Sequence, residues 1–142
     1  MTHIRQQVRD AAITAVTGLT VGATTVQVYG SRAVPVQSAK LPALLVYTAQ
    51  DQVAYVTMTP PRTRTHDIQL IVEVLVQGVD GCDDTLDSLA EAIETQVLTD
   101  ITLGGIARDV QVTNTATSFL AESEYVLAIA AINFSVDVVD TE

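Results

Sequence analysis

Few side chains in this sequence are suited to catalysis or metal binding: two histidines, His3 and His66, and a single cysteine, Cys82. His3 stands near the start of the chain and His66 at the head of a strand-like run. A lone histidine in either place is expected on the surface rather than as a ligand or base. One cysteine and two separated histidines do not make a zinc set at the usual spacings. Nor can Cys82 form an internal disulfide or half of a Cys-x-x-Cys motif. Asp80, Asp83, Asp84 and Asp87 gather carboxylates, but without the spacing, glycine and closing glutamate of a calcium loop. They read better as acids at a helix N-terminus, where the dipole favours negative charge. Gly104-Gly105 lacks the Gly-Lys-Ser/Thr of a phosphate loop and reads as a helix cap and turn. None of Ser31, Ser38, Ser88, Ser118, Ser123 and Ser135 sits in a Gly-x-Ser-x-Gly elbow. No catalytic, cofactor-binding or metal residue is assigned, no cofactor is expected, and the protein is expected not to be an enzyme.

The better functional candidate is Pro60-Pro61-Arg62-Thr63-Arg64. Two prolines stiffen it, and arginine forks suit carboxylates at interfaces; the alternative is a solvated hairpin tip. Residues 1–64 carry six basic residues and two acids, whereas residues 65–142 carry one basic residue and fifteen acids, for a net charge of −10. Such polarity allows copies to stack, positive patch against negative. Arg62 and Arg64 on one side, and Asp83, Asp84 and Asp87 on the other, are therefore the candidate interface residues. The acidity argues against nucleic-acid affinity, which needs Lys and Arg to displace counterions.

These residues need elements to position them, and 142 residues suffice for one domain, taken as 1–142. Apolar residues make up 48% and aromatic residues 4%, so the core should be aliphatic. No apolar run approaches the roughly 20 residues of a membrane span. The N-terminal residues lack the apolar stretch of a signal peptide, so a cytoplasmic site of synthesis is expected.

Ile4, Val8, Ala11, Ala12, Ala15, Val16 and Leu19 recur at helical spacing, with Thr2 as expected N-cap and Gly18 at the end. Thr24 to Tyr29 reads as a strand, broken by Gly30-Ser31, with Pro35 and Pro42 marking extended chain. Leu44–Thr48 and Val53–Met58 read as two further strands across a polar turn at Ala49–Gln52. Gln50 to Arg64 is expected to project as an arm. Ile68, Leu70, Val72, Val74 and Val76 give the strongest alternation in the chain. Ile71 and Leu75, on its nominally polar face, imply cover from a helix or another subunit.

After a turn at Gly78–Asp83, a second helix is expected with Asp83 or Asp84 as cap and Leu86, Leu89, Ala90, Ile93, Val97 and Leu98 as its apolar stripe. Val110–Thr117 and Tyr125–Val139 complete the sheet around a loop at Ala121–Glu124, with Asp140-Thr141-Glu142 frayed. The expected class is α+β: a mainly antiparallel sheet of four to five strands, two helices packed on one face, and a projecting hairpin or loop.

In order and spacing the chain resembles the tail-terminator and tail-completion proteins of long-tailed bacteriophages. The resemblance runs through Ile4–Asp10, Thr17-Gly18-Leu19-Thr20, Val28–Pro35 and Leu41-Pro42-Ala43-Leu44 followed by a strand. It continues through Arg64-Thr65 leading into Val72-Glu73-Val74, Asp83–Asp87 opening the second helix, Ala92-Ile93-Glu94 and Leu103-Gly104-Gly105. It implies a structural protein of the virion tail or neck, assembled in the host cytoplasm. Its subunits would form a hexameric ring that ends the tail tube and joins it to the neck or connector protein. DNA would pass through the ring without specific binding, and no membrane would be involved. A head-completion or stopper-type neck protein is the alternative, and a small enzyme or binding protein a third reading.

Overall fold

The longest alternating run becomes the central strand. The computed structural model describes residues 3–18, 20–21, 24–29, 43–77, 82–121 and 126–141. Its elements are α1 (Ile4–Val16), β1 (Thr20–Val21), β2 (Thr24–Thr25), β3 (Gln27–Tyr29), β4 (Ala43–Tyr55), β5 (Thr63–Gln77), α2 (Cys82–Thr99), β6 (Asp109–Ala121) and β7 (Val126–Thr141). The main sheet has the order β3-β4-β5-β7-β6, and β1 pairs with β2 in a separate ribbon. All neighbours in the main sheet are antiparallel except β3 and β4, which are parallel. The α+β class is as expected: a four-stranded antiparallel sheet carries two helices, and β3 adds a short parallel edge.

On β5 the residues Ile68, Leu70, Val72, Val74 and Val76 are all buried. They face Ala128, Ala130, Ile132, Phe134 and Val136 of β7, and Leu44 and Val46 of β4, in one core. Alternate residues of a strand share a face, so this run can supply one wall of that core. Val8, Ala12 and Val16 come to it from α1, and Leu86, Leu89, Ile93 and Val97 from α2. The small Ala128 and Ala130 leave room for helices to approach. On the outer face Leu45 and Leu75 are buried and Ile71 is half-buried, so that end of the sheet is already covered within the chain.

Several boundaries differ from expectation. β4 is one strand, not two, because a bulge at Thr48/Gln50 carries the polar tract through without a turn. Before the bulge Leu44, Val46 and Thr48 oppose Val74, Val72 and Leu70. After it Asp51, Val53 and Tyr55 oppose Ile68, His66 and Arg64. One extra residue reverses the parity of the strand, which made two segments look like separate strands. The region Gln50–Arg64 is therefore mostly sheet, with only residues 56–62 as connection. The expected strand Thr24–Tyr29 divides between two sheets.

At α1 the N-cap is His3, whose Nδ1 accepts from the Arg5 N–H at 3.1 Å. The helix ends at Thr17, and Gly18 follows at φ +97°, a left-handed conformation that favours glycine. Asp83 and Asp84 lie inside the first turn of α2, not at its cap, since the helix starts at Cys82. Leu98 leaves the apolar stripe and is exposed. Asp140 and Thr141 do not fray: they pair with Arg64 and Thr63. Thr2, Leu19, Gly30-Ser31, Pro35, Pro42, Asp80 and Glu122–Glu124 lie outside the described residues.

Candidate functional site

Near Asp51 the helix layer ends while the sheet runs on. Arg5, in the first turn of α1, reaches Asp51 at 3.9 Å. Past that point Val53 and Tyr55 still stand on the helix-side face but are 46% and 53% exposed. The same face brings together Asp51 from β4, His66 and Arg64 from β5, and Asp140 from β7. His66 Nδ1 lies 2.9 and 3.1 Å from the two oxygens of Asp51, and its Nε2 lies 3.4 Å from Asp140 Oδ2. The Arg64 guanidinium donates to the same Asp140 oxygen.

His66 is only 3% exposed, which corrects its expected place on the surface. β-sheet register sets it between Val53 and Val138, and Asp51 hydrogen-bonds its Nδ1, whereas Nε2 has Asp140 nearby but no hydrogen bond. Hydrogen bonding from Arg64 holds the Asp140 carboxyl below its ordinary range; partial burial opposes that, and His66 adds to it. The same contact raises Arg64. Every contact of this cluster is internal, so it acts as a polar clamp across three strands.

At the hairpin tip the Val56 N–H donates to the Thr63 carbonyl at 2.8 Å, and the Thr63 N–H to Thr57 Oγ1 at 2.9 Å. Arg62 lies over the Tyr55 ring, 5.7 Å from its centroid. Val56 and Met58 point outward, 63% and 86% exposed. No acid occurs from Gln52 to His66, a stretch that also holds Arg62 and Arg64.

Helix α2 carries the opposite charge. From Cys82 to Asp100 there are six acids and no basic residue. Asp84 and Asp87 are exposed near its start, and Asp83 lies in its first turn. The structure does not bring these acids to Arg62 and Arg64 within one chain. The arginines lie at or beside the start of β5 and the acids follow its end. The strand's 15 residues separate them by on the order of 45 Å at 3.3 Å per residue.

Near the other end of α2 a groove of about 290 Å³ opens between the helices, lined by Ala11, Thr14 and Ala15 of α1, Gln96 and Val97 of α2, and Leu103. Asp100 stands at its edge. Its carboxylate accepts from the Thr102 hydroxyl and from the Thr102 and Gly104 N–H groups, both N–H contacts at 3.0 Å. Those donors hold it below the ordinary carboxylate range. The apolar Leu98 and Ile101, close by in sequence, are exposed. Sequence reasoning missed this groove, which depends on how the two helices sit against each other.

The outer face of the sheet is polar toward the hairpin end. Gln50, Gln52, Asp67, Gln69 and Ser135 line a shallow concavity of about 220 Å³. Ser135 donates to Asp67 at 2.7 Å and Gln69 to Asn133 at 2.9 Å. Asp109 and Asp137 extend this surface, and Arg108 neutralises Asp137. Among the described residues no group of three or more His, Cys, Asp or Glu has a metal-holding arrangement. No described helix is long and apolar enough to cross a membrane.

No protein-family model matches the chain, and no curated protein does. Among solved structures, a chain from the virion of a native gene transfer agent particle is similar over 94% of this chain and 91% of its own length. The identity is 16% and the TM-score 0.39.

Proposed function

We propose that this chain is a structural protein of a phage-like virion, one that forms a ring at the end of the tail tube and joins it to the neck. The observation that carries this reading is the separation of two unlike surfaces on one subunit. The tip of the β4–β5 hairpin, from Gln52 to His66, holds two arginines, exposed apolar side chains and no acid, whereas α2 carries acids along its length and no basic residue. Surfaces that differ in this way favour head-to-tail contacts between copies, and a rotation that closes turns such contacts into a ring. Six subunits is the number the family resemblance implies. The polar outer face, with Asp67, Asp109 and Asp137, suits a channel through which DNA slides without being held, since it offers few groups to displace counterions.

A neck component on the portal side is the alternative; it shares the ring and differs in position. Electron microscopy of the purified protein, together with labelling of the chain in assembled particles, distinguishes the two. A ring matching the tube in diameter, found at the head-proximal end of the tail, supports the tail-terminating role. A monomer both free and in particles contradicts it.

A further inference from the structure

We infer that the hairpin tip of one subunit seats in the groove between α1 and α2 of the next. The inference rests on the ring reading and names its contact. Val56 and Met58 are among the more exposed large apolar side chains described, and they lie two residues apart at the end of a two-stranded hairpin. Apolar groups so placed mark interaction sites when they form a patch rather than stand singly. The tip is exposed, so it does not occupy its own chain's groove.

The groove supplies the matching surface. Its walls are the small Ala11 and Ala15 with Val97 and Leu103, leaving room for inserted aliphatic side chains. Charge agrees with shape. The inserted tip brings Arg62 and no acid, while the receiving end of α2 has Glu94 three residues before the lining Val97, Asp100 at the groove just past the helix, and no basic residue in its last turn. The C-terminal end of a helix also favours a cation. The acidic partners of Arg62 therefore lie in the last turns of α2, not in the first, where Asp83, Asp84 and Asp87 stand. Arg64 stays with Asp140 inside its own subunit.

Paired cysteines test this directly. Met58→Cys and Thr14→Cys are made separately in the full chain carrying Cys82→Ser, mixed at concentrations where the unaltered chain assembles, and oxidised. The expected result is a disulfide-linked dimer only in the mixture, and a ladder ending in a closed ring when both cysteines are on one chain. Met58→Cys paired with Ser118→Cys, on β6, should not link. Met58→Asp should stay folded by circular dichroism while the midpoint concentration for assembly rises about tenfold or more, as for a buried anchor. Rings that form normally without the cross-link, and normally in Met58→Asp, overturn this contact and leave the ring reading standing. An unaltered chain that never assembles, free or on particles, overturns both.

Discussion

His66 Nδ1 lies 2.9 Å from Asp51 Oδ1, although fifteen residues separate the two along the chain. The contact exists because the bulge in β4 turns Asp51 onto the helix-side face, where it meets a histidine that the register of β5 has already buried. A parity change in one strand thus sets the polar clamp at the base of the hairpin.

Removing one partner should leave the other unsatisfied in a buried place. Asp51→Ala is expected to lower stability by about 1–3 kcal/mol, the usual cost of stranding a buried polar group. Urea unfolding should show a lower midpoint with an unchanged slope. An unchanged midpoint would mean that the clamp contributes nothing to the fold.

The Asp140 carboxyl adds a pH signature. Its folded value lies below the ordinary 3.8, chiefly through Arg64. A carboxylate lowered in the folded state stabilises it above the unfolded value, and that contribution is lost as pH falls through the folded value. The stability advantage of the unaltered chain over Asp140→Asn should therefore be full near neutrality, shrink as pH falls below 3.8, and disappear in stronger acid. Thermal melts of both proteins across that range measure it; a constant difference would contradict the assignment.

Ile93 is fully buried in the core shared by α2, Val72 and Val74. Ile93→Ala should cost about 2–5 kcal/mol, combining lost burial with the cavity left behind. Denaturant melts test this, and an unaltered melt would mean that this face of α2 is wrongly placed.

The two arginines should separate by function. Arg62→Glu is expected to leave the fold intact and weaken assembly, because Arg62 sits at the tip against Tyr55. Arg64→Glu sets a second carboxylate beside Asp140 and should lower the stability of the monomer itself. Circular dichroism melts report the fold and its stability, and sedimentation reports assembly. Equal loss of fold in both variants would remove Arg62 from the interface.

What could be read in the sequence followed from periodicity. Ile68, Leu70, Val72, Val74 and Val76 are apolar at every second position, and Leu86, Leu89, Ile93 and Val97 repeat at helical spacing, so the central strand, the second helix and their common core were legible. The unity of β4 was not, because a single bulged residue moves the apolar set from even to odd positions. The burial of His66 was not legible either: its partners Asp51 and Asp140 lie on other strands, and only pairing register brings them near. The same holds for Arg64, whose carboxylate lies 76 residues away. The groove was hidden for a related reason, since it lies between two helices whose relative placement a local pattern does not encode.

The most direct test of the ring is electron microscopy of the purified full chain across a concentration series, with light scattering on the same samples. The expected result is a closed ring of identical subunits, six by the family resemblance, with a central opening wide enough for duplex DNA. A protein that remains monomeric at every concentration, and is found singly in assembled particles, would contradict the proposed function.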